Sequence, residues 1–374
     1  MIVFLDSTIA TGLQKSHSNK EAILSALSIC CQQVYEGTHV LCASREVFAD
    51  ILNCRSLFSG KSFAILKRSS DKLALRKPLM EYVSRSILLV ADGYGPGVTR
   101  VVKGQHEQIV IPVEALDQCS SLITKPLLMV ENITDGTFLL KLVKDLAADG
   151  ALDSVRMLAE VTLRCEIAPG GGHTLGQLYE LQKSSNARLG IAVTDSDRGY
   201  PNASVGDTAK ALETAHSAPP RSPLLEYLVL PVRASENLIP RAMIVDLCAG
   251  MDKTLGYHAE RLTHLFSSSG HWTFVNIKGG LRCFELGQSS AESTYWTAIV
   301  GGRRCMPNAA CESKKKCSHF VLPPLSNGLL SAAAGRSAPL TPSPACYATV
   351  SATWGQLAKL LFSTFCGAEV SATF

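Results

Sequence analysis

Between Lys125 and Pro240 short apolar runs alternate with amphipathic stretches, and this alternation restricts the fold more than any other feature of the chain. "KPLLMVEN" has the length and composition of a buried strand that ends in polar residues. "TDGTFLLKLVKDLAADG" has helical spacing: Phe138, Leu139, Leu142, Val143 and Leu146 share one stripe, Thr134 is placed to cap it and Gly150 to stop it. After a further short helical stretch, "LRCEIAPGGG" is a strand running into a glycine turn. "HTLGQLYELQKSS" is a second helix with Leu175, Leu178, Tyr179 and Leu181 facing inward, and "ARLGIAVTDSD" is the next strand. Strands that alternate with helices specify a parallel sheet with helical crossovers. "HSAPPRSP" then breaks the pattern.

The flanks are mixed. "MIVFL", "THVLCAS", "SILLVAD" and "EQIVIP" read as strands, and "NKEAILSALSICCQQVYEG" as a helix with Ile23, Leu24, Leu27 and Ile29 on its apolar side and Gly37 as its stop. Towards the end, "HWTFVNIKGGL" suggests a strand and turn, "AAAGRSAPLTPSPA" a low-complexity loop and "TWGQLAKLLFSTF" a closing helix. The expected architecture is α/β. A central parallel sheet flanked by helices occupies residues 121–240. An N-terminal α/β unit covers residues 1–120, and an irregular α+β unit with a basic cysteine loop covers residues 241–374.

The chain has 374 residues, 46% of them hydrophobic and 18% charged, enough to bury a sizeable core. Its formal charge of +4 is compatible with nucleic acid but too weak to hold an anion without a local patch or metal ions. No run approaches the roughly 18 apolar residues of a membrane span. The 13 cysteines, an odd number, in a chain that opens without a signal-peptide pattern point to reduced thiols in a cytoplasm.

Ligands of open α/β sheets gather beyond the carboxyl ends of the strands. Glu131 follows the first central strand, the turn Pro169 to Gly172 the second, and Asp195 and Asp197 the third. In an extended segment, residues on either side of Ser196 point the same way, so the two aspartates can project together. Converging carboxylates repel one another unless a cation compensates them. Oxygen ligands of this kind suit Mg²⁺ or Mn²⁺, which polarise a phosphoryl oxygen and orient a water. Glu131 is the choice for general base or acid. The glycines, Gly171 and Gly172 among them, allow close approach of backbone to phosphate.

A glutamate after one strand, a glycine-rich turn after the next and an aspartate pair after the third resemble the TOPRIM domain. The matching pieces are "LLMVENITDGTFL", "APGGGHTLGQL" and "IAVTDSDRGYP", over residues 125 to 205 and as far as 240. The chain is most similar to OLD-like and defence-associated TOPRIM nucleases. The "EN" of "VRASENLIP" matches a pair found in those groups, which places Glu236 as a further metal ligand. The resemblance implies Mg²⁺-dependent cleavage of DNA or RNA, tRNA included, as the effector of a bacterial anti-phage system. The chain has no Walker A motif, so regulation would need a separate ATPase or sensor subunit. The alternative is a non-catalytic subunit that binds nucleic acid or such an ATPase. A third possibility is a phosphohydrolase of another fold using "DSD" as nucleophile pair, but such folds place the pair on their first strand.

Several residues admit two roles. His173 contacts phosphate or caps the following helix. Arg198 contacts phosphate or forms a surface salt bridge. Lys278, in "NIKGGL", is a charge partner for the transition state or a surface lysine. Asp135 reads as a helix acid. Cys305, Cys311, Cys317 and His319 supply four N/S ligands suited to structural Zn²⁺, or form a basic loop of reduced thiols; their spacing is not that of a common zinc knuckle. The neighbouring lysines 314 to 316 suit a nucleic-acid backbone. Asp6 follows the first strand as in PIN-type nucleases, with Glu46 and Asp50 later, but no further acidic pair completes such a site, and Asp6 reads as a turn or cap.

Overall fold

The structure, a computed structural model, describes residues 1–14, 19–148, 161–186, 188–266, 270–301, 317–340 and 348–368. It is a mixed α/β protein whose parallel four-stranded sheet is flanked by helices. The chain forms two compact units. The first comprises Met1–Val193, Leu212–Leu228 and Gly355–Phe374; the second comprises Thr194–Ala211 and Val229–Trp354.

Five strands of the first unit make one sheet: β1 (Ile2–Leu5), β2 (Val40–Cys42), β3 (Arg85–Val90), β4 (Thr99–Lys103) and β5 (His106–Pro112), in the order β2-β1-β3-β5-β4. All pairs are parallel except the β4–β5 hairpin. β1 and β2 are almost wholly buried, as their unbroken apolar runs require. The helix Lys20–Tyr35 buries Ile23, Ala26, Leu27, Cys30 and Cys31. Leu24 and Ile29 of the expected stripe are only half-buried, because two thiols take the inner positions instead. Asp6 acts locally: its carboxylate accepts a hydrogen bond from the Thr8 N–H at 2.9 Å, at the start of the helix Ser7–Gln14.

The second sheet uses β6 (Leu127–Val130), β8 (Glu166–Pro169), β9 (Gly190–Thr194) and β10 (Leu225–Val229), in the order β10-β9-β6-β8; β7 (Val161–Leu163) lies outside it. β6 is central and runs parallel to both β8 and β9. The helix Ile133–Ala148 buries Phe138, Leu139, Leu142, Val143 and Leu146, the full expected stripe. It begins at Ile133, one residue before the expected cap Thr134, and the Asp135 carboxylate accepts from the Asn132 N–H at 2.9 Å. The expected stop Gly150 and the short helix after it lie outside the described residues. The helix Leu175–Ser185 buries Leu175 and Tyr179, but Leu181 is 64% exposed. Its position falls on the solvent side of that short helix despite its apolar side chain.

The second unit is mainly helical, with the short antiparallel pair β11 (Leu281–Arg282) and β12 (Phe320–Leu322). "HWTFVNIKGGL", expected to contain a strand, forms instead a 3₁₀ turn over Gly270–Phe274 and then a turn into β11. The closing helix Ala348–Phe365 leads back to the first unit, where β13 (Cys366–Ala368) pairs antiparallel with β7. Among the described residues no helix is long and apolar enough to cross a membrane, and no disulfide forms.

The two sheets of the first unit are joined by an ion network in which Arg85 is buried and Glu107, Arg100 and Glu226 are partly exposed. Arg85 on β3 bonds Glu107, its register partner on β5, at 2.7 Å and the Pro223 carbonyl at 3.3 Å. Arg100 on β4 lies 3.2 Å from the same Glu107 oxygen and bonds Glu226 on β10 at 3.0 Å. Burial draws the Arg85 guanidinium below its ordinary pKa, and Glu107 opposes that shift. Removing one partner of a buried pair strands the other charge. Glu107→Ala is therefore expected to cost about 3 kcal/mol, and Arg85→Met with Glu107→Leu to recover most of it. Urea denaturation followed by far-UV circular dichroism checks this; an unchanged midpoint for Glu107→Ala would refute the role given to the network.

Candidate functional site

In the first unit, the pairing of β6 with β8 brings Glu131 beside the glycine turn. The Gly170 N–H donates to the Val130 carbonyl at 2.7 Å, and the Gly171 N–H to the Glu131 carbonyl at 2.9 Å. The turn needs its glycines for different reasons. Gly171 and Gly172 have φ of +68° and +65°, in the left-handed region. At Gly170 a Cβ would lie 2.6 Å from the Leu175 backbone, so the closeness of turn and helix excludes any side chain. Glu131 is half-buried and His173 exposed. His173 lies within the turn, and the cap position of the next helix falls on Thr174.

In the second unit, Asp195 to Asp197 are sewn to residues 232 to 235. The Ser196 hydroxyl donates to the Val232 carbonyl at 2.7 Å, and the Asp197 N–H to the Arg233 carbonyl at 2.9 Å. Ser235 donates both its N–H and its hydroxyl to Asp195 Oδ1, each at 2.9 Å. β9 has already ended at Thr194, and Asp197 has a φ of +54°. The extended geometry expected to aim both aspartates one way is thus absent, because the chain turns here to meet the 232–235 segment. Asp195 is half-buried and Asp197 exposed. Asp197 packs against Gly206, where a Cβ would come within 2.5 Å of its Oδ2. The Gly206 N–H donates to the Ser196 carbonyl at 2.8 Å.

The three residues of "SEN" divide the work. Ser235 holds Asp195. Asn237 is fully buried: its amide donates to the carbonyls of Trp272 (2.8 Å) and Val275 (3.1 Å), its oxygen accepts from the Ala234 N–H (3.0 Å), and the Trp272 indole donates to its carbonyl (3.1 Å). Glu236 is 2% exposed, and its Oε1 lies 3.2 Å from Lys278 Nζ. Lys278 is therefore the partner of an acidic residue, not an isolated surface lysine. Glu236 Oε2 is buried with no hydrogen-bond partner, and so is Arg198 Nε. The arrangement also includes residues that sequence reasoning missed. Glu292 bonds Arg233 at 3.2 Å and packs so closely on Gly199 that a Cβ there would meet its carboxylate. Tyr200, from "DRGYP", lies 6.1 Å from the Tyr295 ring, whose phenol burial pushes up to about 12. The serine and glycines carry no charge signal in a sequence, and Glu292 belongs to a helix with no visible tie to the motif.

Chemically, the second unit carries the Asp195, Asp197 and Glu236 carboxylates on two segments joined by the Asp195–Ser235 contacts, and one of their oxygens, Glu236 Oε2, is buried without a donor. Carboxylate oxygens are the donor type that Mg²⁺ or Mn²⁺ takes. Among the described residues, no three His, Cys, Asp or Glu side chains form a ready metal-binding group. Of the four expected zinc ligands, Cys305 and Cys311 lie outside the described residues. The Cys317 thiol is buried and donates to the His319 carbonyl at 3.7 Å, while the His319 side chain is exposed.

Comparison with models of known families, with curated proteins and with solved structures finds no match.

The Asn237 contacts anchor the loop that carries Ser235 and Glu236. Asn237→Ala is expected to cost about 3 kcal/mol, since it leaves the Val275 carbonyl and the Ala234 N–H unpaired and takes from the Trp272 carbonyl one of its two donors. All three tryptophans, Trp272, Trp296 and Trp354, belong to the second unit. Urea unfolding followed by tryptophan fluorescence therefore reads this loss directly.

Proposed function

We propose that this chain is a metal-dependent nuclease that hydrolyses phosphodiester bonds in DNA or RNA, like the OLD-like and defence-associated TOPRIM nucleases its sequence resembles. One observation carries the reading. Two buried polar atoms of opposite character, Glu236 Oε2 and Arg198 Nε, lack partners on two loop segments joined by the Asp195–Ser235 contacts. Buried polar groups are almost always satisfied, and the other described side-chain atoms left so, Arg85 Nη1, Arg100 Nε and Thr162 Oγ1, belong to the first unit, so these two are the pair that the second unit holds. A divalent cation answers the first and a phosphate oxygen the second, and a metal-bound phosphodiester supplies both.

In this reading Asp195, Asp197 and Glu236 hold Mg²⁺ or Mn²⁺, which when bound polarises a phosphoryl oxygen and eases ionisation of water. Arg198 binds a non-bridging oxygen and stabilises the charge gathering on it. The attacking water gives its proton to a general base, the part that the resemblance assigns to Glu131. A new P–O bond forms to that water oxygen as the bond to the leaving alkoxide breaks, and the alkoxide takes a proton from solvent. Lys278 neutralises Glu236 until a divalent cation does so. The Gly171 and Gly172 backbone and His173 contact substrate phosphate. The protein acts in a reducing cytoplasm as the effector of an anti-phage system, with a separate ATPase or sensor subunit as its regulator.

The second reading is a non-catalytic subunit that binds nucleic acid or an ATPase. It is favoured by the lack, among the described residues, of a ready three-ligand group. Calorimetric titration separates the two. The nuclease reading expects Mn²⁺ binding that disappears in Asp195→Ala; the second expects none in either protein.

Asp195→Ala with Asp197→Ala should lower Mg²⁺-dependent cleavage by at least about 100-fold. Intact cleavage in that double variant would sink the assignment. Gly206→Ala should displace the Asp197 carboxylate and lower cleavage about ten-fold, because positioning errors of an ångström cost that much or more. Its tryptophan-monitored stability should change far less than its activity.

A further inference from the structure

We infer that the second unit carries a distinct groove for one unpaired nucleotide of a single strand. This rests on the nucleic-acid reading above and names the form of the substrate. The groove has a volume of about 600 Å³, within the range of small-ligand sites. None of its lining residues belongs to the segments that carry Asp195, Asp197, Glu236 or Lys278.

Leu255, Phe320 and Pro324 supply apolar surface, and His258, Arg261 and His319 supply the polar groups. His258 and Arg261 stand three apart on the helix Lys253–Leu265, so they share one face. His319 comes from the residue before β12. No acidic side chain is among the described lining residues. The groove is thus complementary to an anion, while much of its surface is apolar.

Planar groups border it. The Arg261 guanidinium lies 5.6 Å from the centre of the Tyr257 ring, and Tyr257 is 58% exposed. The Arg282 guanidinium lies 5.0 Å from the centre of the Phe320 ring. Cations beside exposed aromatic and apolar surface are the combination that binds single strands, where each base offers a free face and each phosphate a charge. A duplex buries its base faces in the stack. A simple anion would make no use of the apolar surface.

The experiment uses the full chain, a fluorescein-labelled deoxythymidine oligomer and EDTA to suppress cleavage. Fluorescence anisotropy is measured across a salt series. Arg261→Ala and His319→Ala are chosen because both side chains are exposed, and circular dichroism checks their folding. Each should weaken binding about five- to ten-fold, and Arg261→Ala should flatten the salt dependence by about one unit of slope. Wild-type affinity and slope in both variants would overturn the groove, as would equal binding of a duplex, or displacement by inorganic phosphate as readily as by unlabelled oligomer. The doubly substituted Asp195→Ala, Asp197→Ala protein should keep its affinity for the oligomer. Cleavage is scored separately with Mg²⁺. Affinity lost in Arg261→Ala while the wild-type protein cleaves nothing would support the groove and sink the nuclease reading. Unchanged affinity with active cleavage would do the reverse.

Discussion

A buried guanidinium at the start of a central strand organises the first unit. Arg85 opens β3, the middle strand of its sheet, and is buried there. Such a charge is tolerable only if the surrounding structure supplies acceptors in fixed places. Glu107 on β5, Arg100 on β4, and Glu226 with the Pro223 carbonyl around β10 form that setting. The register of β3 on β5 and the approach of β10 are therefore set together. β10 lies next to β9, and β9 leads directly into Asp195.

Strands such as β1, β3, β6 and β9 were legible because an unbroken apolar run of this length, bounded by polar residues, has few other uses. The stripe from Phe138 to Leu146 was legible for a similar reason. Errors arose where burial is decided by neighbours and not by the residue itself. Leu181 is apolar yet exposed, and Cys30 and Cys31 occupy inner positions that a hydropathy pattern gives to Ile29. The stretch containing Trp272 and Val275 looks like a strand by composition. It forms a 3₁₀ turn whose carbonyls are taken by the Asn237 amide, a contact between residues 35 or more positions apart.

The candidate site was legible as charge and illegible as geometry. Asp195, Asp197 and Glu236 stand out in a sequence because acids after apolar runs need a reason. What holds them is carried by Ser235, Gly206 and Asn237, whose side chains are small or neutral. The alternation rule failed for Asp197 because a left-handed residue ends the extended geometry on which the rule depends. Lys278 illustrates the converse: a lysine in a glycine turn looks ordinary until its buried partner is seen.

The composition of the two units has a consequence for how the protein is made. The chain passes from one unit to the other at residues 193, 211, 228 and 354. The first unit holds residues 1–193, yet it is completed by residues 355–374, which leave the ribosome only after the second unit. β13 pairs with β7, the Ser363 hydroxyl accepts from the Ser84 N–H at 3.0 Å, and the Ala368 N–H donates to the His39 carbonyl at 3.2 Å. Until these residues are synthesised, β7 lacks its partner strand and the helix stretch from Gly355 to Phe365 is missing from the core. The nascent chain therefore carries an unfinished apolar surface through the whole synthesis of the second unit, and the thiols buried there remain open to chemistry from which the finished fold excludes them.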